Sequence, residues 1–143
     1  VDVERLERKN LTPEAVANAV PRWRPEGNNI IYVSWRGGEY PIVASVDLVC
    51  MNADGSEKRE VAPSPVDEMS PPWSPEGSRG LFWSWRTGNP ELFVVKADGT
   101  GLRHLTGNLS RDVFPSWCPD GKRISFDSDR MANFDIWVMD LPD

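Results

Sequence analysis

The chain has 143 residues, 39% of them hydrophobic and seven of them Trp, which suits one domain with a packed core. Its net charge of −6 argues against nucleic acid, which favours a basic face, and the absence of a long apolar run excludes a membrane-spanning helix. No stretch has the makeup of a signal peptide and position 1 is Val rather than Met, so the compartment is left open.

In chain order the first predicted element is a strand over about residues 3–12, "VERLERKNLT". Three related segments follow: "VPRWRPEGNNIIYVSWR", "SPPWSPEGSRGLFWSWR" and "FPSWCPDGKRISFDSDR". Their anchors Trp23, Trp73 and Trp117 are 50 and 44 residues apart. After each Trp come Pro, an acid and Gly at fixed offsets, then Ser34, Ser84 or Ser128, then Arg36, Arg86 or Arg130. The Pro-acid-Gly stretch suits a tight hairpin turn, because Pro presets φ and Gly accepts a positive one.

Each segment predicts two strands, and a third follows in the apolar runs "LVCM", "LFVV" and "IWVM". The first two runs pass into the turns "NADGS" and "KADGT" and then a fourth strand ending near Val61 or Leu105. The first repeat carries six extra residues between its second and third strands, within "RGGEYPIVASVD". Four short strands recurring at about 44 residues predict an all-β fold of propeller blades. The blades span about 20–62, 70–106 and 114–141, and the third lacks its fourth strand. The opening strand aligns with "GLRHLT", the fourth strand of the second blade, so it supplies the missing piece.

The pattern P-x-W-x-P-[DE]-G, then S-x-R, an apolar strand and A-D-G, resembles the repeat of TolB-like β-propellers, from about Leu6 to Leu141. The resemblance implies a soluble bacterial protein of the periplasm or cytoplasm. It implies little about activity, because this repeat serves many unrelated functions. The family has Asp inside S-x-R; here only Asp129 keeps it, and Trp35 and Trp85 replace it.

Three blades are too few for a ring and leave bare apolar edges. Two chains forming one six-bladed ring would solve this. The strand over about 3–12 of each copy would then complete the third blade of the other, a closed homodimer. A fragment of a longer propeller, or a ring of three chains, are the alternatives.

Candidate functional residues are few. His104 is the only His and is expected on an outer, solvent-facing strand; no nucleophile or phosphate-loop motif is present, so the chain reads as non-catalytic and cofactor-free. Asn18, Glu68 and Asp112 lie five residues before each repeat Trp, at the mouth of the channel. They could gather oxygen ligands for Ca2+ or an ammonium group, or each could cap its loop or pair with the Arg of S-x-R. Trp23, Trp73 and Trp117 recur in every unit and are expected in the core, as are Tyr32, Phe82 and Phe126. Cys50 and Cys118 read as free thiols, buried or half-buried.

Trp35 and Trp85, with Tyr40 and Pro41 of the insertion, fall on the face that carries the loops entering the first strands. There they form an aromatic platform for a ligand or fold over the core. Three functions compete: a scaffold binding a protein or peptide through one ring face, a small-ligand or glycan binder at a Trp-lined mouth, and a hydrolase or lyase, for which catalytic residue types are scarce.

Overall fold

A computed structural model describes residues 7–14, 17–36 and 45–141. Among them there are strands and no helix, hence none long and apolar enough to cross a membrane. The strands are β1 (Asn18–Trp23), β2 (Asn29–Arg36), β3 (Ser45–Asn52), β4 (Arg59–Glu60), β5 (Glu68–Met69), β6 (Arg79–Ser84), β7 (Glu91–Lys96), β8 (Arg103–His104), β9 (Asp112–Trp117), β10 (Arg123–Ser128) and β11 (Asp135–Asp140). They form three antiparallel meanders, β1-β2-β3-β4, β5-β6-β7-β8 and β9-β10-β11.

Turn chemistry sets the boundaries. Gly27, Gly77 and Gly121 close the β1–β2, β5–β6 and β9–β10 turns with φ between 68° and 75°, a conformation open to Gly at little cost. A second recurrent feature lies inside β1 and β9 and directly after β5. Val20, Ser70 and Phe114 all have φ near +50°, and each precedes a proline (Pro21, Pro71, Pro115). Proline has no N–H for the ladder and steers its predecessor away from the right-handed helical region. The strand responds with a bulge: the β1–β2 register shifts between Ala19 and Arg22, and the β9–β10 register between Ser125 and Asp127.

The core lies between sheets. Ile31, Val33 and Leu48 of the first sheet meet Trp73, Phe82 and Phe93 of the second. Leu81, Leu92 and Val94 on the other side of the second sheet meet Ile124 and Phe126 of the third, with Trp117 and Trp137 at the margin. Strand alternation produces this arrangement, since successive side chains point to opposite faces and each sheet can therefore serve two neighbours.

Three sequence expectations need correction or placement. Trp23 is not in the core of the single chain: it is 59% exposed, because among the described residues no sheet precedes the first to receive it. Of the strand expected over 3–12, residues 3–6 lie outside the described residues and 7–12 form no strand in the single chain. They run instead beside the first sheet, where Leu11 packs on Ile30, Tyr32 and Met51. Tyr40 and Pro41 also lie outside the described residues.

Candidate functional site

Loops entering the first strand of each sheet and loops joining second to third strands emerge on one face. Glu68 opens β5 and Asp112 opens β9; both are fully buried. Their offset from the Trp puts each opposite the Arg of its own S-x-R. Asp112 Oδ1 lies 3.0 Å from Arg130 Nη2, and its Oδ2 accepts from Asn108 Nδ2 at 2.7 Å. Glu68 Oε1 is paired with Arg86 Nη2, and Oε2 accepts the Leu48 N–H at 3.1 Å, which ties the second sheet to the first. Each guanidinium also lies against aromatic rings: Arg86 is 4.9 Å from Phe93, and Arg130 is 4.4 Å from Trp137.

Burial pushes the Glu68 carboxyl up to about 7, outweighing the opposing pull of Arg86 and of the Leu48 N–H. These acids hold the loops down; each already faces a guanidinium or amide. Asn18 is half-buried at the start of β1. Among the described residues no group of three or more His, Cys, Asp or Glu side chains is placed to hold a metal ion.

The position inside S-x-R behaves differently in each sheet. In the third, Asp129 accepts the Arg111 N–H and the Arg111 Nε, both at 2.7 Å, and so pins the loop entering β9. In the first, Trp35 is half-buried and packs on the inter-sheet core beside Val20 and Met69. In the second, Trp85 is 44% exposed and lines a hollow with Pro65, Val66 and Asp67. Asp67 corresponds to Arg111, and its carboxylate reaches instead to the Val46 N–H at 3.0 Å. The two Trp that the sequence treats alike thus separate into one covering the core and one facing solvent.

Sequence reasoning missed the company Trp85 keeps. Leu109, on the loop entering β9, is fully exposed, and Met131 and Phe134, on the β10–β11 loop, are exposed as well. All three lie on the face that carries Trp85. The signal was present in "TGNLSRD" and "RMANFD", where single apolar residues sit in otherwise polar loops with no strand to bury them. Glu91 was also missed: it is buried at the start of β7, accepting from the Asn108 N–H at 3.0 Å and Asn89 Nδ2 at 3.1 Å.

His104 stacks on Phe93 with ring centroids 4.7 Å apart and approaches Glu91 Oε2 at 3.4 Å, partly exposed on the outer strand β8. Cys50 is buried and Cys118 half-buried, and both are free thiols.

A family model described as the TolB beta propeller domain matches residues 1–143. Among solved structures, a protein from Agrobacterium tumefaciens assigned as TolB is 25% identical with a TM-score of 0.68, over 83% of this chain and 44% of its own. TolB from Acinetobacter baumannii is 19% identical with a TM-score of 0.70, over 84% of this chain and 29% of its own. A puromycin-hydrolyzing peptidase from Mycobacterium tuberculosis is 21% identical with a TM-score of 0.70, over 92% and 23%. The chain therefore spans less than half the length of these structures. Comparison with curated proteins finds no match.

Proposed function

The chain belongs to the TolB β-propeller domain family, and on that footing we propose that it is a non-catalytic scaffold binding a protein or peptide through one ring face. The observation that carries this reading is the distribution of exposed apolar side chains: Trp85, Leu109, Met131 and Phe134 all sit on loops of one face. Isolated exposed apolar residues are ordinary, but several gathered on one face favour a binding surface. The buried acids at the foot of these loops, held by Arg86 and Arg130, keep the platform rigid. A spread over three loops suits an extended peptide or protein surface better than a single sugar in the Trp85 hollow, which stands as the second reading.

The face is part of a ring of six blades made by two copies, each lending its N-terminal strand to the third blade of the other. Two features support this. The third sheet ends at β11, whose Ile136 and Val138 are exposed on its outward side. Residues 7–12 also lie against the first sheet as the fourth strand of one sheet lies against the next. A Cβ at Gly99 would stand 3.0 Å from Val61 O, and one at Gly55 would stand 3.2 Å from Leu11 O. Val61 and Leu11 hold the same repeat position, so Leu11 occupies the place of an outer strand belonging to a preceding blade.

Sedimentation of the full chain and of a variant lacking residues 1–12 tests the ring. The full chain should sediment as a dimer, and the truncated one should unfold or aggregate through its bare β11 edge. A monomeric full chain at micromolar concentration, or a truncated chain that stays folded and dimeric, would refute strand exchange. For the face, Trp85→Asp should abolish binding of peptides selected from a random library against the full chain, with the unfolding midpoint unchanged. Retained binding would refute the assignment.

A further inference from the structure

Within the chain, one joint between sheets is drawn in detail. Trp117 of the third sheet packs in the cluster of Leu81 and Val94 of the second. Its Nε1 donates to Pro72 O at 3.3 Å, and the Arg79 guanidinium lies 4.8 Å from its ring. The turns make a second contact. A Cβ at Gly121 would stand 3.2 Å from Glu76 Oε2, and one at Gly77 would stand 2.6 Å from Glu26 Oε2. Trp73 holds the same repeat position one sheet earlier and packs with Ile31 and Cys50. There the guanidinium 5.7 Å from the ring is that of Arg24, Asn29 stands at the repeat position of Arg79, and the buried Nε1 has no hydrogen-bond partner among the described residues.

The two ends of the chain hold the unmatched halves of this joint. At one end Trp23 is exposed and nothing lies within 4 Å of a Cβ at Gly27. At the other, a hollow on the outward side of β10 and β11 is lined by Trp117, Cys118, Arg123, Ile124, Ser125 and Val138. Moving every residue of the inner joint forward by one 44-residue repeat turns Leu81 into Ser125, Val94 into Val138, Arg79 into Arg123, Pro72 into Ser116 and Glu76 into Asp120. The hollow is thus built like the seat of Trp117.

We infer that Trp23 of one copy seats in this hollow on a second copy, stacked under Arg123 and donating its Nε1 hydrogen to Ser116 O, while Asp120 meets Gly27. The inference rests on the two-copy ring and names the contact that sets its geometry. A second copy is the occupant because, in the two-copy ring, this joint takes the place that the Trp117 joint holds inside the chain, with Arg123 and Val138 at the positions of Arg79 and Val94 and Ser125 in place of Leu81. Two such joints close the ring about a two-fold axis, each copy giving one Trp and receiving one.

The test uses the full chain with Trp23→Ala and, separately, Val138→Arg, which fills the hollow from the opposite end. A large aromatic at the centre of a joint dominates its energy, so each variant should raise the dimer dissociation constant by about 30-fold or more. Far-UV circular dichroism of the monomer should be unchanged. Should Trp23→Ala lose that signal, Val138→Arg and Arg123→Glu, both at exposed positions, carry the test. Cys118 gives an independent readout, because it lines the hollow while Cys50 is buried. Dimerisation should slow its reaction with a thiol reagent, and Trp23→Ala should restore the monomer rate. Dimers of unchanged dissociation constant in these variants would overturn the Trp23 seat while leaving the two-copy ring standing. A Cys118 thiol equally reactive in monomer and dimer would do the same, and a monomeric full chain would overturn both.

Discussion

Replacing Arg130 with Met should unfold the protein at markedly lower denaturant than the wild-type chain. Asp112 is fully buried, and Arg130 Nη2, 3.0 Å away, is its cationic partner. Removing one partner of a buried pair costs about 3–5 kcal/mol, because the remaining charge is uncompensated. Arg130 is itself 30% exposed, so water can reach the vacated space, and we take the lower end of that range. Loss of the contact with the Trp137 ring at 4.4 Å adds about 0.5 kcal/mol. A total near 3 kcal/mol corresponds to a fall in Tm of about 10 °C for a chain of this size. The matching substitution is Asp112→Asn, which keeps an acceptor for Asn108 Nδ2 but carries no charge. Combined with Arg130→Met it should recover about 2 kcal/mol, since no buried charge is left. The assay is equilibrium unfolding at pH 7 with all variants at one protein concentration, because the proposed dimer would make stability depend on it. A loss below about 1 kcal/mol in Arg130→Met, or a double variant whose losses simply add, would show that the pair does not hold the loop.

Two further outcomes follow from the same face. Trp35→Ala should cost about 2–3 kcal/mol because Trp35 packs on the core between the first two sheets, whereas Trp85→Ala should stay within about 0.5 kcal/mol; equal losses in thermal unfolding would contradict the split. The folded-state pKa of Glu68 is raised to about 7, so its contribution to stability is fully present below the unfolded-state range and is lost as pH rises through 7. The stability difference between wild type and Glu68→Gln should therefore shift against the wild type between pH 5 and pH 8, and a difference constant across that window would contradict a buried, upshifted carboxyl.

The sheets were legible in the sequence because their signals are local and repeated. Pro25, Pro75 and Pro119 with the following acid and Gly specify the turns, and the apolar runs after Leu48, Leu92 and Ile136 specify the third strands. The Arg partners of Glu68 and Asp112 were legible as one of two readings for the same reason, since acid and Arg recur at constant offsets. The exposure of Trp23 in the single chain was not legible, because the repeat describes a residue's neighbours within a blade, whereas its burial depends on a sheet before it, and none precedes the first among the described residues. The positive φ at Val20, Ser70 and Phe114 went unread even though Pro follows each of them; an X-Pro pair marks an interruption but does not specify which conformation relieves it. Trp35 and Trp85 share a repeat position, and only the surroundings that differ from sheet to sheet separate them.

The contacts of Glu26 at Gly77 and of Glu76 at Gly121 bear on how such a chain varies in length. Each step from sheet to sheet is made by residues that belong to the repeat, so curvature is inherited unit by unit and copy number is a free variable. Excising residues 63–106 would join Ala62 to Gly107, the residue that holds the place of Pro63 one repeat later. Glu26 would then face Gly121 across a junction of the kind already present. A gene of this type can grow or shrink by whole repeats through recombination without inventing a new interface, whereas a cut of any other length would bring together positions that never meet.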